Sequence, residues 1–225
     1  MVLPKVTPGQ TQVNGEHAML DGMMRRVIDL PLNMMGRFLS ARGITASQVT
    51  LIGLALGVLA ALTLALGGQG WAALVPLMAG RIADGLDGAV ARASAKTDFG
   101  GYLDIFCDFV FYAAIPLAFV LRDSENGPAG AFLLAAFYVN GASFLGYAIL
   151  AEKHGMETRA QGEKTLYYSA GLLEGTETVI FFAVLCLWPG MFQPLAWAFG
   201  VLCLVTAIAR VLLARRVFGA IEREE

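Results

Sequence analysis

DGLDGAVARASAKTDFGGYLDIFCD, residues 84–108, decides how the rest of the chain is read. It sets aspartates at 84, 87, 104 and 108, with Arg92 and several glycines, between flanks apolar enough for a lipid bilayer. If a helix lies on each side of a short break around 94–98, Asp84 and Asp87 stand i,i+3 on one face, and Gly88, Ala91 and Arg92 follow on it. Asp104 and Asp108 stand i,i+4 on one face of the next helix. Antiparallel packing of the two helices as neighbours would bring the acidic faces together and place four carboxylates around one cavity. One acid near the bilayer centre already costs about 2.5–3.5 kcal/mol on insertion scales, so such a cluster needs positive charge. Mg²⁺ and Mn²⁺ are the natural candidates, because hard cations take carboxylate oxygens and no His or Cys partners these acids. The small residues Gly85, Gly88, Ala89 and Ala91 leave room for a ligand or a second backbone, and Arg92 can grip a phosphate oxygen beside the metal.

Working outward, the 225 residues are 57% hydrophobic and their mean hydropathy is +0.63. Soluble domains use roughly 45–50% apolar residues, so the chain is read as an all-α integral membrane protein. Residues 1–18 are polar, carry Pro4, Pro8 and Gly15, and show no apolar signal core, which predicts a flexible tail. Residues 19–42 mix apolar positions with Arg25, Arg26, Arg37 and Arg42 and predict an N-terminal interfacial amphipathic helix. Six transmembrane helices, each close to the ~20 residues a span requires, are expected at 47–66, 71–92, 100–121, 129–151, 170–188 and 194–213. Residues 19–225 are thus expected to form a single membrane domain.

With an even number of spans both termini share a side, and 14 of the 16 Lys and Arg residues fall on it. The positive-inside rule then predicts cytoplasmic termini, with the acidic cluster opening to the cytoplasm from an inner, multi-pass location. Cys107, Cys186 and Cys203 lie in apolar spans without metal-ligand spacing and read as packing residues. Gly53, Ala55, Gly57, Ala60 and Ala61 read as close-packing positions between helices.

The 84–108 stretch resembles the signature of the CDP-alcohol phosphotransferases (CDP-alcohol phosphatidyltransferases), D-x-x-D-G-x-x-A-R, a spacer, then G-x-x-x-D-x-x-x-D. Asp84, Asp87, Gly88, Ala91, Arg92, Gly100, Asp104 and Asp108 fill every fixed position. The spacer between Arg92 and Gly100 is one residue shorter than the usual form. The resemblance implies transfer of a phosphatidyl or similar phosphoalcohol group from a CDP-linked lipid to an acceptor hydroxyl, with release of CMP. It implies metal binding by Asp84, Asp87, Asp104 and Asp108, with Asp108 as the catalytic general base. The CDP site would be lined by Asp84, Gly88, Ala91, Arg92 and Gly100. Mg²⁺ or Mn²⁺, a CDP-linked lipid donor, a small alcohol acceptor, membrane lipids and a homodimer are the implied cofactors and partners, and no nucleic acid is expected.

Weaker expectations concern other segments. Gln48 and Thr50, at the edge of the first span, would touch the nucleotide, although capping by Thr45 or Ser47 explains the same residues. An acceptor pocket is expected from Glu174 and Thr176 with Lys153, Lys164 or Arg210, because acids at membrane depth are functional by default. Arg81 reads as a structural counter-ion for Asp84 or Asp87. Two other classes fit an acidic membrane cluster: an aspartate-rich Mg²⁺-dependent prenyltransferase, which would need more spans and no Arg92 at this offset, and an ion-coupled transporter, which would need a midplane site.

Overall fold

The structure, a computed structural model, describes residues 30–155 and 175–221. Among the described residues the chain is helical throughout: α1 (30–41), α2 (Ala46–Ala65), α3 (Gly70–Ala93), α4 (Asp98–Arg122), α5 (Gly127–Lys153), α6 (Gly175–Leu187) and α7 (Phe192–Ile221). The expected tail and the expected interfacial helix up to residue 29 lie outside the described residues, as do Glu174 and Lys164. Among the described residues a helix overlaps each of the six expected spans, and residues 170–174 of the fifth lie outside them. Four stretches are long and apolar enough to cross a membrane: Ala46–Ala65, Asp98–Arg122, Ser124–Lys153 and Pro189–Gly219. The chain is therefore a multi-pass membrane protein. The 24 residues of α3 include Arg81, Asp84, Asp87 and Arg92, and α6 shows 13 residues, so neither meets the same measure.

Local chemistry sets the helix starts. At α2, Thr45 accepts from the backbone N–H of Gln48 while the Gln48 side chain accepts from the Thr45 N–H, a reciprocal capping box. At α4, the Thr97 hydroxyl accepts from the Gly100 N–H at 3.0 Å and closes the 94–97 break that the sequence places there. At the other end of the bundle, Arg122 donates to the Gly68 carbonyl at 2.8 Å, joining the α2–α3 and α4–α5 connections.

The sequence reading makes α3 and α4 direct neighbours; the packing corrects this. Helix α2 is the main partner of both, and it fits between them through its glycines. A Cβ on Gly53 would lie 3.2 Å from the Gly80 carbonyl oxygen, and a Cβ on Gly80 would lie 2.9 Å from the Gly53 carbonyl oxygen. One turn on, a Cβ on Gly57 would stand 2.7 Å from the Phe111 ring of α4. Lipid tails give helices no hydrophobic reason to associate, so close backbone approach and dispersion hold this trio together. Ala60 and Ala61 are buried as expected, whereas Ala55 faces outward.

These contacts predict an asymmetric response to small substitutions. Gly80→Ala is expected to destabilise the fold by roughly 1–3 kcal/mol, because backbone atoms on both sides cannot yield. Gly146→Ala, with open space around the new methyl, is expected to stabilise α5 by about 0.5–1 kcal/mol. Thermal unfolding in one detergent checks both, and equal shifts would remove the argument.

The main core gathers the buried side chains of α2 to α7 toward the end opposite the 94–97 break, with Phe111, Phe119, Phe182 and Phe192 fully enclosed. Phe182 meets the Phe111 ring edge-on at 5.5 Å, and Phe181 stacks on Phe199 at 4.0 Å. Buried Cys107, Cys186 and Cys203 are free thiols in this packing. A separate cluster of Val49, Ala83 and Val90, flanked by Leu39 and Ile44, ties α1, α2 and α3 together near the acids.

Candidate active site

The acidic residues lie between those two apolar clusters. Helical spacing puts Asp84 and Asp87 on the inner side of α3, and one carboxylate oxygen from each of Asp84, Asp87 and Asp104 lies within 4.8 Å of the others. Such an all-oxygen donor set fits a hard divalent cation. Asp108 adjoins this trio through side-chain contact with Asp84, and its Oδ1 accepts from Arg81 Nη1 at 2.7 Å. The same Arg81 nitrogen lies 3.5 Å from Asp84 Oδ1. Arg81 is thus a counter-ion, as the sequence suggests, with Asp108 as its shorter contact.

Two neighbours of the site come from helices far away in sequence. The Thr50 hydroxyl of α2 donates to Asp87 Oδ2 at 2.6 Å, inside the buried layer. Thr50 is therefore a site residue through Asp87, by a contact that its place at the span edge does not reveal. Asn33 of α1 accepts from Arg92 Nε at 3.3 Å and from Arg92 Nη2 at 3.0 Å. Helix α1 gets close enough to do this because Gly36 faces the backbone of Ala89, where a Cβ would come within 2.6 Å of the Ala89 carbonyl carbon. The sequence reading missed Asn33; its one signal is a lone amide in the apolar run Pro-Leu-Asn-Met-Met of 31–35.

The remaining expected residues are distributed as follows. Arg92 is exposed at the end of α3, and a Cβ on Gly88 would lie 3.4 Å from its Nη1, so Gly88 gives the guanidinium space. A Cβ on Gly100 would sit 2.9 Å from the Thr97 hydroxyl, which makes the glycine part of the α4 cap as well. Lys153 and Thr176 are exposed at the end of α5 and the start of α6. Gly175 approaches Tyr112, one turn beyond Asp108, with a virtual Cβ 3.2 Å from the phenol oxygen. Arg210 donates to Asn140 Oδ1 at 3.0 Å and to Ser143 Oγ at 2.8 Å, both on α5, so these contacts tie α7 to α5 and do not reach the acid cluster.

The Thr50 contact carries its own prediction. A hydrogen bond to a charged group contributes about 1.5–3 kcal/mol, and groups that orient metal ligands are worth about 10- to 100-fold in metal affinity. Thr50→Val keeps the volume and removes the donor, so Mn²⁺ affinity is expected to fall by about 10- to 100-fold. A Mn²⁺ titration of the folded variant checks this, and unchanged affinity would reduce Thr50 to a packing residue.

The model of the CDP-alcohol phosphatidyltransferase family matches residues 43–209, which include every residue of the acidic signature. The chain belongs to the CDP-alcohol phosphatidyltransferase family. It is a transferase of this class, and neither the prenyltransferase nor the transporter reading has support. Over 209 residues it is 44% identical to the inner membrane protein YnjF of Escherichia coli, covering 92% of this chain and 100% of that protein. Over 93 residues it is 39% identical to the archaetidylinositol phosphate synthase of Pyrococcus horikoshii, covering 41% of this chain and 49% of that one. The fold is similar to that of the Mycobacterium tuberculosis phosphatidylinositol phosphate synthase PgsA1 with CDP-DAG bound: TM-score 0.63, 24% identity, 82% of this chain and 93% of that chain. The same enzyme with manganese and citrate gives a TM-score of 0.58 at 23% identity, covering 81% of this chain and 88% of that one.

Proposed function

We propose that the protein transfers a phosphatidyl group from a CDP-linked lipid such as CDP-diacylglycerol to the hydroxyl of a small polar alcohol, releasing CMP, with Mg²⁺ or Mn²⁺ bound. The observation that carries this reading is the convergence of Asp84, Asp87 and Asp104 within 4.8 Å on the family signature. The neighbouring fold described with CDP-DAG, and again with manganese, supports the same donor and metal class here. A divalent ion held by Asp84, Asp87 and Asp104 would supply charge neutralisation at the pyrophosphate oxygens. Arg92, steadied by Asn33, takes a phosphate oxygen, and Gly88, Ala91 and Gly100 leave the nucleotide access to the backbone.

In the transfer, the acceptor oxygen forms a bond to the phosphorus that carries the lipid. The bond from that phosphorus to the bridging oxygen breaks, its electron pair leaves with CMP, and the acceptor proton passes to Asp108. The lipid donor enters sideways between helices, its acyl chains remaining in the bilayer. Six spans with both termini and the site on the cytoplasmic side complete the proposal, supported by the basic-residue distribution and by the Arg122 to Gly68 contact between the two opposite-side connections. The acceptor site is assigned to Glu174 and Thr176 with Lys153, Lys164 or Arg210, and the enzyme is a homodimer.

The test is CMP release by purified protein in detergent, given CDP-diacylglycerol, Mn²⁺ or Mg²⁺, and a panel of glycerol 3-phosphate, serine, inositol, inositol phosphate and choline. The expected result is metal-dependent release with one acceptor. Silence with every acceptor, together with no CDP binding, would sink the reading.

A further inference from the structure

In the run FCDFVFY at 106–112, Tyr112 follows Asp108 by four residues, so the two share a face of α4 one turn apart. Tyr112 is half-buried. Its ring lies among Phe111, Phe137 of α5 and Phe182 of α6, with centroids 5.7, 6.3 and 6.4 Å away. A phenylalanine would make the same ring contacts, so packing does not account for the hydroxyl. That hydroxyl has no hydrogen-bond partner among the described residues, and it is not one of the polar atoms sealed inside the bundle. It faces Gly175 of α6, where a Cβ would lie 3.2 Å from the phenol oxygen. Its strongest charged neighbour is Asp108, ahead of Arg81, Asp84 and Asp104. A neutral O–H donor thus stands beside the acids without a protein acceptor, and a ligand oxygen would offset the cost of holding it there.

We propose that Tyr112 binds the acceptor alcohol, its O–H donating to a second, uncharged oxygen of the molecule whose attacking hydroxyl gives its proton to Asp108, so that the acceptor is a polyol. The proposal rests on the transferase reading above and on Asp108 as the base, and it names the class of alcohol used. Asp108 and Tyr112 present a proton acceptor and a proton donor on one helix face, so one small molecule can engage both. A polyol carries a neutral hydroxyl on the carbon next to the attacking one, which can accept from the phenol. The ammonium head of choline has no acceptor to offer an O–H. The carboxylate of serine, placed against the phenol, would meet the like charges of Asp84, Asp104 and Asp108. Gly175 keeps the phenol approachable, because any side chain there would begin in contact with its oxygen.

The experiment measures CMP release by the full chain in detergent with CDP-diacylglycerol and Mn²⁺, for the wild-type protein, Tyr112→Phe and Gly175→Ala. Glycerol 3-phosphate, inositol, inositol phosphate, serine and choline are each supplied as acceptor. Release is expected with one of the three polyols. Tyr112→Phe, which keeps the ring, is expected to raise KM for that polyol by about 3- to 10-fold, the range one neutral hydrogen bond supports, while KM for the donor and Mn²⁺ affinity stay at the wild-type values. Gly175→Ala is expected to raise the same KM. The decisive comparison uses the polyol without its neighbouring hydroxyl, 3-hydroxypropyl phosphate for glycerol 3-phosphate or a deoxyinositol for the inositols. The wild-type protein is expected to lose the same factor with this analogue, and Tyr112→Phe to lose nothing more; a purely structural role for Tyr112 would leave the variant's deficit intact. Serine or choline as the alcohol used, an unchanged acceptor KM in Tyr112→Phe, or additive losses from variant and analogue would overturn the proposal and leave the transferase reading standing. If Tyr112→Phe does not fold by circular dichroism, the wild-type loss with the analogue and the KM of Gly175→Ala decide. No release with any of the five acceptors overturns the transferase reading, and the role of Tyr112 falls with it.

Discussion

Asp108→Asn is expected to lower kcat for CMP release by about 10²- to 10⁴-fold, the range that general-base removal produces, while Mn²⁺ and CDP still bind. The reason is geometric. Asp108 adjoins the trio of converging carboxylates beside Asp84, and its Oδ1 is held by Arg81 at 2.7 Å. Asparagine has nearly the same shape, and its amide oxygen can keep accepting from Arg81, so the bundle is expected to fold. The variant lacks a carboxylate to take the acceptor proton. The measurement is single-turnover CMP release beside a Mn²⁺ titration. If the variant loses its metal along with its activity, Asp108 is a ligand and the assignment of the proton to it fails.

Asp87→Asn is expected to abolish turnover by a different route. Asp87 is the buried member of the trio, 6% exposed, and Thr50 orients it through a 2.6 Å hydrogen bond. Asparagine can still accept from Thr50, so the helix contact survives while the ligand charge is gone. Removing one of three anionic ligands is expected to weaken Mn²⁺ binding by more than the roughly 100-fold that losing an outer partner costs. Loss of activity should follow the loss of metal and be partly recovered at high Mn²⁺. Metal binding equal to wild type would show that Asp87 is held by Thr50 for structural reasons alone. The two substitutions therefore separate chemistry from metal capture, because Asp108→Asn is expected to keep the ion and Asp87→Asn to lose it.

Much of this architecture can be read from local sequence because membrane helices reveal themselves locally. Long apolar runs locate α2, α4, α5 and α7, and breaks such as 67–70 and 122–128 separate them. The offsets between Asp84 and Asp87 and between Asp104 and Asp108 assign their faces, since helical spacing is a property of a few consecutive residues. The family signature occupies 25 consecutive positions and is equally local.

The contacts that differ among the four aspartates are not local. Asn33 and Arg92 are 59 residues apart, and Thr50 and Asp87 are 37 apart, so no spacing rule relates them. Whether Arg81 reaches Asp84 or Asp108 depends on how far α4 stands from α3, and that distance is set by α2 fitting between them at Gly53 and Gly57. The sequence by itself therefore determined the helices, the acidic faces and the family. Only the tertiary structure decided that three acids converge while the fourth is held by an arginine, because side-chain partners across helices depend on interhelical separation, which small residues on a third helix control.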